Sequence, residues 1–302
     1  TSIALLGGGT TLIGDPSGKD ESRKILQKSD VDRNINTIKN TFSKFINLEK
    51  NSKIINNYNW LADLNYISFL RDIGSQITIN KMLTFESVKN RLDREQPLSF
   101  LEFNYMLLQA YDFFYLNKEY NCSLQLGGSD QWGNIISGID LIRRKSNKKA
   151  FGITSPLITN SDGSKMGKTA DGAIWLDKKL LSSYDYWQFW RNTDDRDVIK
   201  FLKMFTDKDV SEIENIKDKN INDLKILLAN EATTLLHGKA AAINASETAK
   251  KTFAGGSGGE LPVIKIKKDQ VNNGLNIIDL SIKTNLFSSK SEIRRTIKNS
   301  GL

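Results

Sequence analysis

Four stretches of this 302-residue chain carry side chains suited to chemistry. The first, GGGTTLIGDPSGKDESR at residues 7–23, follows the apolar run SIALL. Gly7, Gly8 and Gly9 let a backbone approach a ligand where a Cβ would block it. Lys19 and Arg23 stand four apart, so a helix beginning near Pro16 would place both on one face near its positive end. Such an end holds phosphate oxygens. The stretch is not a Walker loop, because Asp20 follows Lys19 and the glycine spacing differs. Its alternatives are an anion site and an ordinary glycine-rich turn.

The second stretch, YMLLQAYD at residues 105–112, reads as a helix. At about 100° per residue, Tyr105, Gln109 and Asp112 fall at roughly 0°, 40° and −20° on the helical wheel. A solvated helix face more often carries Lys and Glu than Tyr, Gln and Asp, so the stripe suggests a ligand-binding face. A carboxylate among such neighbours suits a hydroxyl or ammonium group, since leaving it unpaired is costly.

In the third, LQLGGSDQWGN at residues 124–134, Gly127 and Gly128 permit close approach and Asp130 stands at a strand-to-helix turn. An acid there suits ribose hydroxyls, while capping of the next helix by Ser129 or Asp130 is an equal alternative. The fourth, DGSKMGKT at residues 162–169, places Lys165 and Lys168 around Gly167. A mobile cationic loop closing over a polyphosphate competes here with a charged surface turn.

The elements that would position these groups follow from periodicity. SIALLGG, KIINN and SLQLGG read as strands, each running toward glycines or asparagines. Apolar stripes predict helices over residues 31–48, around residues 67–73 and over residues 134–145. The alternation argues for a parallel α/β sheet with ligands at the carboxyl ends of its strands. Beyond Tyr184 two helical stretches follow, DDRDVIKFLKMF and DLKILLANEATTLLHG. GGSGG at residues 255–259 reads as a linker and VIKIKK as a strand. SSKSEIRRTIKNSGL reads as a helix with a Ser289–Glu292 capping box and a stop at Gly301.

Composition sets the remaining bounds. Hydrophobic residues make up 39% of the chain and charged residues 26%, as in soluble globular proteins. No apolar run reaches the roughly 20 residues that span a bilayer, so no membrane partner is expected. The single cysteine, Cys122, points to a reducing cytoplasm. A net charge of +8 favours a polyanionic partner. The chain opens at Thr1 within a buried-strand pattern and closes at Leu302 after a helix, so an internal piece of a longer protein is expected.

KMGKT resembles the KMSKS signature of class I aminoacyl-tRNA synthetases. LIGDPSGK, YxxxQAYD and GGSDQWGN, in that order, resemble the bacterial-type tyrosyl-tRNA synthetases. TDDRDV and the S4-like LFSSKSEIRRTIKNSGL extend the likeness over essentially the whole chain. The resemblance implies a Rossmann-like catalytic domain over 1–182, a helical tRNA-binding domain over 183–254, and a linker with the start of an S4-like RNA-binding domain over 255–302.

It also implies ATP-dependent activation of L-tyrosine and transfer to tRNA(Tyr), by a homodimer with ATP as substrate and Mg2+ as its companion. Asp15, Tyr105 and Gln109 would hold the tyrosine ammonium, Asp112 the phenol, and Gln131 the reacting carboxylate. Asn57 and Gln125 would support that pocket from behind. Gly128 and Asp130 would take the ribose. Lys19, Arg23, Lys165 and Lys168 would meet pyrophosphate, with Thr169 completing the loop. No metal-ligating residues are implied.

One departure stands out. The family's HIGH histidines are not found, and the sole histidine, His237, falls in a helix's last turn, suited to a dipole contact or a solvated position. The 302 residues alone are therefore expected to be inactive. Two other readings compete: a tryptophanyl-tRNA synthetase, and a non-enzymatic RNA-binding protein favoured by the charge.

Overall fold

The computed structural model describes residues 1–13, 26–48, 50–169, 172–253, 264–272, 274–284, 287 and 289–298. The chain divides into two compact units, Thr1–Leu181 and Ser182–Leu302.

In the first unit, β1 (Ser2–Leu6) pairs in parallel with β2 (Ser52–Asn56), and β3 (Leu124–Gly128) pairs in parallel with β4 (Phe151–Ser155). Each of these sheets is two-stranded. Helices separate the paired strands in sequence, as a parallel connection requires. The helix Lys28–Phe42 lies between β1 and β2, and Trp132–Ser146 lies between β3 and β4. All three strands expected in this half are present; KIINN and SLQLGG are matched within one residue, while SIALLGG stops at Leu6 because Gly8 already begins a short helix, Gly8–Thr11.

The long helix Phe100–Tyr120 is fixed at its start by a capping box of Ser99 and Glu102. Arg91, itself buried, reinforces that start by donating to Glu102 at 3.1 Å and to the Pro97 carbonyl at 2.7 Å. The helix ends at Asn121, whose φ of 52° is the left-handed stop that Asn tolerates. It packs against Trp132–Ser146 at Gly138, where a Cβ would lie 2.9 Å from Phe113. The helix around residues 67–73 is Tyr66–Asp72, with a 3₁₀ turn following at Gly74–Gln76.

Two sequence expectations are corrected. The stripe over residues 31–48 outlasts its helix, which ends at Phe42; beyond it Phe45 and Ile46 both donate to the Phe42 carbonyl in tightening turns. VIKIKK forms no strand over its described residues, 264–267, and the helix Lys268–Asn272 begins at its end. An alternating pattern needs a ladder partner, and no described strand follows β6 (Gly172–Ala173), which pairs antiparallel with β5 (Lys168–Thr169). The GGSGG stretch and Gly301 lie outside the described residues.

The second unit is helical. Ser183–Arg191, Val198–Phe205, Ile221–His237 and Lys239–Phe253 bury Trp187, Trp190, Phe201, Leu202 and Leu228. Trp190 sits edge-on to Phe201 at 5.9 Å, and Trp187 donates to Asn230 at 2.8 Å. His237 closes Ile221–His237 as expected, but its ring stands edge-on to Tyr186 at 5.2 Å. In Lys290–Lys298 the Ser289 hydroxyl accepts from the Glu292 amide at 3.2 Å. Ile293 there is fully buried while Ile297 is 37% exposed, so only one of the two supplies core.

Candidate active site

The carboxyl ends of β1 and β2 are clasped by asparagines. Asn56 Oδ1 accepts from the Gly8 amide at 3.1 Å, and Asn57 Oδ1 accepts from the Gly9 amide at 2.7 Å. The clasp needs glycine: a Cβ on Gly8 would lie 2.2 Å from Asn56 Oδ1. Asn57, itself buried, also binds two further side chains. Its Nδ2 donates to Thr10 Oγ1 at 3.1 Å and to Asp112 Oδ2 at 2.8 Å.

Asp112 is the centre of the arrangement. It is 2% exposed, and its second oxygen accepts from Trp60 Nε1 at 2.7 Å. Trp60 is held in turn by stacking on Tyr115, with centroids 4.3 Å apart. Burial pushes the Asp112 carboxyl up to about 7, against the two donated hydrogen bonds that pull it down. Two donors therefore fix a buried acid whose remaining lone pairs are available to a ligand hydroxyl.

A cavity of about 1290 Å³ opens beside it. Residues of β1 and β3 line it together with Phe113 and Leu116 of the long helix. Of the residues singled out from sequence, Asn57, Tyr105, Gln109, Asp112, Gln125 and Gln131 line this one space. The polar stripe is thus a cavity wall. Gln125 Oε1 is buried there and has no hydrogen-bond partner among the described residues. Gln109 Nε2 donates to Gln131 Oε1 at 3.0 Å, and Asn134 Nδ2 donates to Gln109 Oε1 at 2.8 Å.

Gly128, Asp130 and Lys165 are not in that lining. Ser129–Gln131 forms a 3₁₀ turn leading into Trp132–Ser146, and neither start has a side-chain cap, so the capping alternative for Ser129 and Asp130 fails. Lys165 is exposed on a bridge to Thr159, flanked by the turn at Gly163 (φ +85°). Gly167 turns the chain again with φ +86°, and Lys168–Thr169 enters β5. The expected loop is built here as two successive turns with hydrogen-bonded arms. Asp15, Lys19, Arg23 and the side chains of Lys168 and Thr169 lie outside the described residues.

Sequence reasoning missed Trp60, Thr10 and Asn134. Trp60 left a usable signal: it stands three residues after Asn57, and a buried indole N–H needs an acceptor. Among the described residues, no three His, Cys, Asp or Glu side chains converge as metal ligands.

A family model for class I tRNA synthetases (W and Y) matches residues 1–254. The tyrosine–tRNA ligase of Pelagibacter ubique is 61% identical over 304 residues, covering 99% of this chain and 74% of that protein. The chain belongs to the tyrosyl-tRNA synthetases. The Paracoccus denitrificans tyrosine–tRNA ligase is 51% identical over 99% of this chain and 74% of its own length. A C-terminally truncated Aspergillus nidulans mitochondrial tyrosyl-tRNA synthetase superposes with a TM-score of 0.72 at 32% identity, covering 83% of this chain and 76% of that one. Membership places the chain among the class I aminoacyl-tRNA synthetases, on the tyrosine rather than the tryptophan side. The non-enzymatic reading is set aside with it.

Proposed function

We propose that the cavity beside Asp112 is the tyrosine site of an ATP-dependent tyrosine–tRNA ligase. The carrying observation is the buried Asp112 carboxylate, pinned by Asn57 and Trp60 and bordering a cavity whose wall also carries Tyr105, Gln109 and Gln131. An acid in that position accepts from a phenol; an indole N–H also donates to a carboxylate, as Trp60 does, so the choice of tyrosine over tryptophan is supported by the tyrosine–tRNA ligase relatives. Tyr105, Gln109 and Asp15 take the ammonium, Gln131 the carboxylate, and Asn57 and Gln125 support them.

In the first step a tyrosine carboxylate oxygen attacks the α-phosphorus of ATP, and the bond to pyrophosphate breaks. Gly128 and Asp130 hold the ribose. Lys19, Arg23, Lys165 and Lys168, with Thr169, balance charge on the departing pyrophosphate. In the second step a 3′-terminal ribose hydroxyl of tRNA(Tyr) attacks the activated carbonyl and AMP leaves. No protein nucleophile takes part, and positioning with charge stabilisation supplies the rate. Mg2+ would be carried on the ATP phosphates, the usual arrangement for that ion.

The partners follow the same reading. Arg294 and Arg295 are exposed on Lys290–Lys298 and suit tRNA phosphates, as the start of an S4-like module would. Ile67, Ile79 and Phe100 are 70%, 63% and 68% exposed, which supports a homodimer covering them. Such an enzyme works in the cytoplasm. Among the described residues no helix is long and apolar enough to cross a membrane.

Amino-acid-dependent ATP–pyrophosphate exchange by the active enzyme tests the assignment. Tyrosine should drive exchange while tryptophan does not. Equal exchange with tryptophan would overturn it.

A further inference from the structure

The two glutamines of the cavity wall are coupled through a residue that plays no part in the scheme so far. Asn134, in the first turn of Trp132–Ser146, is partly buried behind them. Its Nδ2 lies 2.8 Å from Gln109 Oε1 and 3.2 Å from Gln131 Oε1, while Gln109 Nε2 lies 3.0 Å from Gln131 Oε1. Three amides therefore close a ring in which every contact must pair a nitrogen with an oxygen.

An amide reverses polarity by a half-turn about its last torsion, with little change of shape. Two settings of the ring are self-consistent: the one described, and the one in which all three amides are reversed. Mixed settings bring two oxygens or two N–H groups together. A fourth contact separates the two. Gln131 Nε2 stands 3.5 Å from Asp130 Oδ2, where a reversed Gln131 would present its carbonyl oxygen to a carboxylate.

The described setting has a chemical consequence. Both glutamine oxygens are engaged by Asn134, and the Gln131 nitrogen, with one hydrogen toward Asp130, keeps the other for a ligand. Gln109 Oε1 retains a second lone pair, because a carbonyl oxygen has two. One donor on Gln131 and one acceptor site on Gln109 match a carboxylate and an ammonium respectively. The reversed setting would offer a carbonyl oxygen to the carboxylate, replacing an attraction with a repulsion.

We propose that Asn134 is a positioning residue of the amino-acid pocket: its side-chain N–H₂ sets the polarity of Gln109 and Gln131, so that Gln131 meets the substrate carboxylate with a donor. The inference rests on the reading that Gln131 lies beside that carboxylate. It assigns Asn134 a role in substrate affinity without any contact to substrate.

Three variants test it in steady-state pyrophosphate exchange by the active enzyme, with thermal melting as the check on folding. Asn134→Asp is isosteric but puts an acceptor where N–H₂ stood, and so drives the ring toward the reversed setting. Asn134→Ala removes the constraint and imposes none. Gln131→Ala removes the group being positioned.

For Asn134→Asp, tyrosine kcat/KM should fall roughly tenfold or more, the scale of one misplaced hydrogen bond to a charged group, with ATP KM unchanged. Asn134→Ala should lose less, because it imposes no reversal and the Asp130 contact still favours the described setting. A residue serving only helix stability would give the opposite order or equal losses in both substrates. An Asn134→Asp enzyme no worse than Asn134→Ala overturns the proposal. If Gln131→Ala leaves tyrosine kinetics unchanged, the placement of Gln131 fails, and the proposal falls with it for that separate reason. Should Asn134→Asp melt early, the double variant Asn134→Ala, Gln131→Ala decides: losses no greater than those of Gln131→Ala alone support the coupling, and fully additive losses refute it.

Discussion

Asp112 combines two demands that water would ordinarily oppose. It is buried, which disfavours its charged form, and in the proposed role it must be charged to accept strongly from a phenol. The donors Asn57 and Trp60 partly offset the first demand, yet the carboxyl remains raised from 3.8 to about 7. For an acid with a raised folded-state value, the unfolded chain loses its proton first as pH rises. Stability of the ligand-free protein should therefore be greatest below pH 4 as far as this group is concerned, and decline between about pH 4 and 7. At about 1.4 kcal/mol per unit, the decline is on the order of 4 kcal/mol. Tyrosine binding should show the reverse trend and strengthen as pH rises through 7, because the ionised carboxylate is the better acceptor. Trp60→Phe keeps the ring stacked on Tyr115 but removes one donor, so the midpoint of that binding curve should move upward. Calorimetric titration of tyrosine from pH 5.5 to 8.5 checks both, and a pH-independent affinity would contradict them. Asp112, Gln109 and Tyr105 were legible in sequence because helical geometry alone places them on one face. Trp60 was not, since its partner lies 52 positions away and only the fold brings them together.

At the scale of elements, strand ends were the readable part. β1, β2 and β3 each run into Gly or Asn, and at β1 and β2 those residues clasp the chain at the strands' carboxyl ends. The helix after Phe42 and the strand at VIKIKK were misread for a shared reason: a local pattern states what an element would bury, not whether a neighbour exists to receive it. The lysine segment shows the same limit. Its residue types were plain, while its build of turns at Gly163 and Gly167 depends on backbone hydrogen bonds from Ile158 to Ile174. Lys165 is exposed and apart from the cavity lining, so its charge is expected to matter when pyrophosphate forms. Lys165→Ala and Lys168→Ala should each slow adenylate formation in single-turnover assays and leave the tyrosine dissociation constant within about twofold. A variant that chiefly weakened tyrosine binding would move the lysines into the amino-acid pocket.

For the whole molecule, the charge of +8 and the division into two units carry the argument. Counterion release makes RNA affinity depend on salt by roughly 0.7–0.9 per phosphate contacted. Replacing Arg294, Arg295 and Lys298 together by alanine should weaken tRNA binding and flatten that slope, as measured by filter binding across a salt series. An unchanged slope would leave the helix Lys290–Lys298 a solvated face. The central claim remains that Asp112 reads the phenolic hydroxyl, and the ratio of kcat/KM for tyrosine over phenylalanine tests it most directly. Asp112→Asn should lower that ratio at least tenfold, through loss of a charge-assisted hydrogen bond of about 1.5–3 kcal/mol, with phenylalanine kinetics nearly unchanged. A ratio that stayed at the wild-type value would contradict the account.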